Sequence, residues 1–380
     1  MTTSALNAPF VAQSPEESEV VEIREAVEGD NEALLELTRM TPMAGSISLR
    51  IDRDPDFFAL PRARGETMVF VAVCRDKVIG CMSASIHKAY ICGAIESVAH
   101  ATDLKVHPNF MGKRLAVRLI SAIENYLRGL GIDLSFSLVA DGNQRMMVLT
   151  GGRHGTPVQV MLGRFFVDQF LPLPWGGRSN RYRIEEAGSK DLPEIAEMLD
   201  RKNRDRNFAP PVSVADLQRT VMAAPGAPFW KMLVIREEGK VIATLTLEDT
   251  QSLRQNVLVG LPMYLRAALG VLRLLALPIP GLRIPRVGEP FAILHVRFIA
   301  CADGHEGAVR CLLLHARAEA FRRRFTFLSV GLHENDPFRR LVRGIPRLTF
   351  ISHAMATSVI EPGRVSRLVN QIPYEDFALV

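Results

Sequence analysis

The chain has 380 residues, 48% hydrophobic and 23% charged, with a net charge of +5. That length exceeds what one compact core usually organises and favours two domains of under roughly 200 residues each. The positive charge is mild and by itself suits anionic small molecules or a membrane surface as well as nucleic acid, but no Lys/Arg run or aromatic-basic interleaving argues for nucleic acid, and none is expected as a partner.

Residues 1–20 carry Ser, Pro and Glu and read as a loose tail. Residues 21–26 alternate and predict a strand, and Asp30 is placed to cap a helix bearing Leu34, Leu35 and Leu37. Residues 40–66 read as irregular, with the charges Arg50, Asp52, Arg53, Asp54 and Asp56 bunched together. Two strands, 68–74 and 78–86, are joined by Arg75-Asp76-Lys77 as a hairpin. A strand over about 99–106 leads through a turn into a helix over 113–128, with Leu115, Leu119, Ile120, Ile123 and Leu127 on one face. Strand 132–139 follows, then Asp141-Gly142-Asn143 opens a short helix, and strands near 157–169 complete the unit. Pro172, Pro174, Gly176 and Gly177 make a linker.

From Tyr182 the same landmarks return in the same order. Ile23-Arg24-Glu25-Ala26 with Asp30 is echoed by Ile184-Glu185-Glu186-Ala187 with Asp191, and Lys77-Val78-Ile79 by Lys240-Val241-Ile242. The strand, turn and helix near Met111 recur near Gly304, and the strand closed by Asn143 recurs with Asn335. One fold in two copies is therefore expected, over 21–175 and 182–380, each α/β with a mixed, mostly antiparallel sheet flanked by helices. The second copy carries an apolar insertion over 251–288. Its stretch 261–277 is too short, and too interrupted by Arg266 and Arg273, to span a membrane. Three readings remain open for 255–285: a basic amphipathic helix on a membrane surface, the wall of a hydrophobic pocket, or a contact with the other copy or a partner subunit. The turn that enters the 113–128 helix presents free N–H groups and a positive dipole end, a natural seat for phosphate.

The five cysteines lack paired ligand spacing and read as reduced core thiols of a cytoplasmic protein. The nine histidines suggest no metal cluster, and no basic-then-apolar leader opens the chain.

The opening Ile23–Asp30, and Leu104-Lys105-Val106-His107-Pro108-Asn109-Phe110-Met111-Gly112-Lys113-Arg114-Leu115-Ala116, resemble the first strand and the acyl-CoA signature of the GCN5-related N-acetyltransferase (GNAT) family, here in tandem. The resemblance implies transfer of an acyl group from acetyl-CoA or another acyl-CoA to a small-molecule amine or peptide by direct attack, with no metal. It implies that Met111, Gly112, Lys113, Arg114, Leu115 and Ala116 cradle the pyrophosphate. Leu104 and Val106 would lie along the thioester, with the Val106 N–H holding the developing oxyanion, and Asn143 would touch the CoA arm.

The chain departs from the family's Gln/Arg-x-x-Gly-x-Gly/Ala pattern at Met111 and Arg114 and conforms at Ala116. The second copy keeps Gly307 but places Asp303 and Glu306 where phosphates would come, which favours the first copy as the CoA site. Thr150 and Val342 stand where the family often carries a tyrosine acid. Glu96, before the strand at 99–106, is the candidate general base acting through water. His100 and Asp103 on or beside that strand, and His107 next to the turn, are further candidates, against readings as surface or core residues. The 50–56 segment is either a solvated loop or part of the acceptor pocket. Besides an N-acyltransferase, two other functions fit: a non-catalytic acyl-CoA-binding protein, and a membrane-surface enzyme using long acyl chains.

Overall fold

A computed structural model describes residues 20–42, 48–112, 114–152, 155–176, 181–222, 229–276 and 283–380. The predicted tail up to residue 19, and Lys113, lie outside the described residues. The first half runs β1 (Glu22–Glu25), α1 (Asn31–Met40), β2 (Ser48–Asp52), α2 (Ala59–Arg64), β3 (Glu66–Cys74), β4 (Lys77–Ile91), β5 (Ala94–Val106), α3 (Leu115–Gly129), β6 (Leu134–Ala140), α4 (Gln144–Thr150) and β7 (Val160–Phe170). The second begins with β8 (Ile184–Glu186), α5 (Leu192–Arg204), β9 (Arg206–Asn207), α6 (Val214–Met222), β10 (Trp230–Glu237) and β11 (Lys240–Asp249). It continues with β12 (Gln255–Gly260), α7 (Met263–Ala276), β13 (Pro290–Phe291), β14 (Ile293–Cys301), α8 (Glu306–Arg322), β15 (Phe327–His333), β16 (Arg347–Ser358) and β17 (Ile372–Pro373).

Local chemistry explains the repeated landmarks. Asp30 does not cap α1 through its side chain. Its carboxylate accepts the Val27 N–H at 2.8 Å and two Arg24 N–H groups at 2.8 and 2.9 Å. Asp191 repeats the device, accepting from Gly188 N at 2.7 Å and from Arg236 Nη2 at 2.6 Å. The echoed aspartate therefore latches the strand-to-helix turn onto the sheet. In α3 the predicted face is buried: Leu115, Leu119, Ile120, Ile123 and Leu127 pack onto β3, β4 and β5.

Two stretches differ from the sequence expectation. The β4–β5 hairpin extends to a two-residue turn at Cys92-Gly93, both with positive φ (50° and 84°), so β5 begins at Ala94 and contains Glu96. The predicted irregular segment 40–66 holds β2 and α2. β2, Ser48-Leu49-Arg50-Ile51-Asp52, alternates over only five residues and finds its partner far away in sequence: it runs antiparallel to β12, Asn256 opposite Ile51, and β12 also pairs β13. The inserted segment thus ties the two halves together through a separate three-stranded sheet.

Among the described residues twelve strands form one sheet in the order β1-β3-β4-β5-β6-β16-β7-β15-β14-β11-β10-β8. Read inward from either edge, the two halves follow the same sequence of strands. At the centre the terminal strands cross over: β7 pairs with β15 of the second half, and β16 pairs with β6 of the first. β7 and β16 also pair with each other, closing the middle of the sheet. The second-half core is built by α8 against β10, β11, β14 and β15, with Leu312, Ala316, Leu245 and Leu294 each at 0% exposure. Cys74 and Cys81 are buried, Cys301 and Cys311 half-buried and Cys92 exposed, and all five are free thiols.

Candidate active site

β5 and β6 run parallel and pair only at Ala99–Ser135 and His100–Phe136. Beyond that point they part. A bulge at Asp103, with φ 58° and the β4 register shifting opposite it, turns β5 away. The exchanged strand lets β6 diverge, because β16 satisfies its other edge from Leu134 to Ala140. His107 N donates to Ile79 O at 2.8 Å across the β4 side. Backbone alternation then turns the Val106 N–H toward the open gap. Behind the gap lies a cavity of about 580 Å³. Ile120, Ile123 and Leu127 of α3, Leu138 of β6 and Val359 give it an apolar wall, and Leu104, Lys105 and Asn143 line the neighbouring face.

The opposite wall is polar. Arg53 donates two hydrogen bonds to Asp103, each 2.7 Å, with both side chains buried. Arg53 also stacks on Phe57 with its guanidinium carbon 5.0 Å from the ring centroid. Burial pushes the Asp103 carboxyl up, but the Arg53 and Lys105 cations and the hydrogen bonds leave it below the usual carboxylate range. Beside it Arg64 Nη1 and His100 Nε2 share the Glu375 carboxylate, each at 2.7 Å. A carboxylate this well paired stays ionised, well below its ordinary value despite burial. It accepts, so the His100 proton sits on Nε2 and the Nδ1 lone pair remains, without a partner among the described residues. Burial and the Arg64 cation pull the His100 imidazole below its ordinary value, so it is neutral near pH 7. Burial likewise pulls the Lys105 ammonium down against the pull of Asp103.

Glu124 also lines the cavity, with Oε1 buried and unpartnered, and burial pushes its carboxyl up to about 7. A folded-state value raised above the unfolded one means that stability is present at low pH and falls as pH rises from about 4.5 to about 7. Glu124→Gln is therefore expected to stabilise the protein by about 1–3 kcal/mol at pH 8 and by almost nothing near pH 4.5. Urea midpoints at the two pH values check this; equal midpoints for both proteins at pH 8 would count against it.

The sequence candidates distribute unevenly. Leu104 and Asn143 line the cavity; Asn143 caps α4 by accepting from Met146 N at 3.2 Å. Met111, Gly112, Arg114, Leu115 and Ala116 form the turn and helix start beyond β5, outside the cavity lining. Gly112 has φ 85° and Arg114 φ 56°, so the position where the family pattern has its middle glycine is left-handed here with a side chain on it. Leu115 is buried in the core at 2% exposure. His107 accepts from Asn109 N within its own turn. Thr150 donates to Met147 O inside α4, and Val342 is fully buried.

Glu96 stands apart. Both of its oxygens accept from Arg364, and it does not line the cavity. The hairpin is longer than predicted, which carries Glu96 back along β5 toward the turn, away from the gap. The cavity residues that sequence reasoning missed include Arg64, Lys105, Arg254 and His295, and behind two of the lining residues it missed Glu375, which pairs with Arg64 and His100; Arg53 belonged to the segment with two open readings. Glu375 carries no local signal, since only tertiary packing brings it to His100.

The second half reproduces the geometry but packs its turn differently. β14 and β15 pair in parallel from Ile293–Phe327 to His295–Ser329, and Phe298 repeats the bulge with φ 50°. There Arg310 of α8 donates to the carbonyls of Leu341 and Arg343, and Arg340 pairs with Glu306 at 3.4 Å. These contacts seat the turn at Pro337–Val342 on α8, and among the described residues no packing as extensive joins α4 to α3. The second half instead lends residues to the same cavity: Ile293, His295, Phe327 and Ser329, with Leu261 and Leu269 from the insertion. α7 thus flanks the cavity through Leu269, while Met263, Tyr264, Val271 and Leu274 are exposed. No helix among the described residues is long and apolar enough to cross a membrane, and none of their His, Cys, Asp and Glu groups gathers in threes as a metal site.

Comparison with known proteins agrees with this geometry. Saccharomyces cerevisiae N-myristoyltransferase with bound myristoyl-CoA superposes with a TM-score of 0.60 at 11% identity, over 92% of this chain and 85% of that one. A GCN5-related N-acetyltransferase from Anabaena variabilis matches with a TM-score of 0.50 at 12% identity, over 90% and 73%. The glucosamine N-acetyltransferase region of a fungal multi-domain β-N-acetylglucosaminidase gives 0.59 at 15%, over 91% and 39%. No curated protein sequence matches the chain. Residues 32–149, which hold β5, the gap and the turn into α3, match the model of the acetyltransferase (GNAT) family, and the whole sheet with its flanking helices has that family's fold.

Proposed function

We propose that the protein is an acyl-CoA-dependent N-acyltransferase whose donor site is the gap between β5 and β6. The observation that carries this reading is the parting of the two strands after His100–Phe136, beside a cavity lined by Leu104, Lys105 and Asn143. The pantetheine arm would lie along the gap, and the N–H of Val106 would meet the thioester carbonyl and stabilise its oxygen as it becomes anionic. The pyrophosphate would sit at the turn from Met111 to Ala116, where Arg114 and the first N–H groups of α3 supply positive potential. The apolar wall of Ile120, Ile123 and Leu127 supports an acyl chain longer than acetyl, in line with the myristoyl-CoA held by the yeast neighbour. The exposed apolar residues of α7 favour work at a membrane surface as a second reading.

His100, rather than Glu96, is the base in this reading. Glu375 holds its Nε2–H, so Nδ1 can accept a proton from the acceptor ammonium. The freed amine attacks the thioester carbon, the C–N bond forms, the nitrogen gives up its extra proton to solvent, the C–S bond breaks, and the CoA thiolate leaves to take up a proton from solvent. No tyrosine stands at position 150 to supply that proton, and a thiolate is a good enough leaving group to depart without one at neutral pH.

Thermal stabilisation by CoA, acetyl-CoA and palmitoyl-CoA, followed by thiol release against amine panels, tests the reading. A rise with CoA is expected, larger with palmitoyl-CoA; no shift with any thioester or with CoA would sink it. Arg114→Glu is expected to weaken CoA binding about tenfold or more, because it reverses charge at the anion seat. Glu306→Arg, in the second half, is expected to leave CoA binding unchanged, and the opposite pattern would move the donor site to the other gap.

A further inference from the structure

The duplicated fold contains a duplicated histidine. His100 occupies the last parallel pair before β5 leaves β6, and His295 occupies the last parallel pair before β14 leaves β15. Each lies the same number of residues ahead of its bulge, at Asp103 and at Phe298. Both rings are buried and both line the one cavity. Their surroundings have diverged. His100 has the Glu375 carboxylate, whereas neither ring nitrogen of His295 has a partner among the described residues.

The cavity also holds three guanidinium groups. Arg53 is neutralised by Asp103 and Arg64 by Glu375. Arg254 is 7% exposed and has no carboxylate within ion-pair distance among the described residues. Among the described residues its one side-chain bond goes to the neutral Asn256 Oδ1, at 3.0 Å, and its buried Nε has no partner. Burial, with repulsion from Arg53 and Arg64, pulls it down to about 9, which still leaves it cationic at neutral pH. A lone buried cation beside an unpartnered histidine is costly in an empty protein. The fork of a guanidinium fits a planar oxyanion, which removes that cost on binding.

We propose that the acceptor amine also carries a carboxylate, and that Arg254 and His295 hold it at the second-half end of the cavity. An amino acid is the smallest molecule of this class. The two histidines then divide the work: His100 takes the proton from the amine, and His295 with Arg254 anchors the acid group. The inference rests on the acyltransferase reading for the amine, but the anion site itself does not depend on turnover.

The test uses the full chain and product-like probes that need no turnover, the N-octanoyl derivatives of the common amino acids and their primary amides. Thermal stabilisation by each is measured on wild type, Arg254→Gln and Arg254→Lys. At least one free acid is expected to bind about tenfold or more tightly than its amide. That preference is expected to vanish in Arg254→Gln and to be partly kept in Arg254→Lys, with stabilisation by CoA unchanged in both. If no acid outbinds its amide, or if the preference survives in Arg254→Gln, the proposal is overturned. The CoA response of the wild type reports separately on the donor site, so the two readings fail independently.

Discussion

Asp103→Ala is expected to destabilise the protein by about 3–5 kcal/mol, the usual cost of removing one partner from a buried ion pair. Its partner Arg53 is 7% exposed and would be left as an uncompensated charge between Phe57 and the cavity. Two further effects add to this. Asp103 has φ 58°, a left-handed conformation that alanine adopts poorly, and it also accepts from Ser83 and Thr102. Asp103→Asn keeps an acceptor and tolerates the same backbone, so it isolates the charge and should cost clearly less than alanine. Denaturant unfolding of both variants decides the matter: an alanine variant within about 1 kcal/mol of wild type would show that the pair is not what seats the bulge. Because the bulge parts β5 from β6, the surviving folded Asp103→Ala molecules are also expected to respond less to CoA.

The second large effect concerns the base. His100→Gln is expected to lower kcat/KM for acyl transfer by about 10²- to 10⁴-fold, with CoA binding kept, because general-base assistance is lost while the gap remains. The pH profile supplies the sign. Burial holds the His100 value below its usual one, so the free base is present at neutral pH and the wild-type rate should fall only on acidification below about 6.5. That acid limb should be missing from the residual activity of the glutamine variant. The linkage to stability has the same direction: in the window below about 6.5 the unfolded chain binds the proton that the buried ring resists, so stability decreases as pH falls. An unchanged rate in His100→Gln would return the base role to another group, and Lys105, also pulled down by burial on the same wall, would be the next to replace.

The elements with local periodicity were readable in the sequence: the buried face of α3, the β3–β4 hairpin, and the recurrence of both around Gly304 and Lys240. The start of α3 after the turn at Gly112 was also close to its predicted place. What resisted reading depends on distant partners. β2 lies in a charged stretch and becomes a strand because β12 reaches it from the insertion. Glu96 looked like a base because the sequence gives no count of how far β5 extends beyond Ala99; two left-handed residues at the turn decide that. Most of the polar cavity wall was invisible for the same reason. Arg64, Arg254 and His295, with Glu375 behind Arg64, come from four separate parts of the chain, and each alone is an ordinary charged or aromatic residue in an ordinary pattern. The histidine pair emerges only from the strand register. Aligning the two copies on their bulges, rather than on their glycines, sets His100 over His295.

The crossing of β7 and β16 has a consequence for the order in which the molecule is made. A ribosome that has released everything through β15 has not finished the first half, since the strand that flanks β6 is still in the exit tunnel. Until residue 358 is free, β6 presents a bare edge able to pair with a neighbouring nascent chain. Severing the chain between the halves would yield two polypeptides that each lack a strand the other holds, so each would be complete only when paired with its partner.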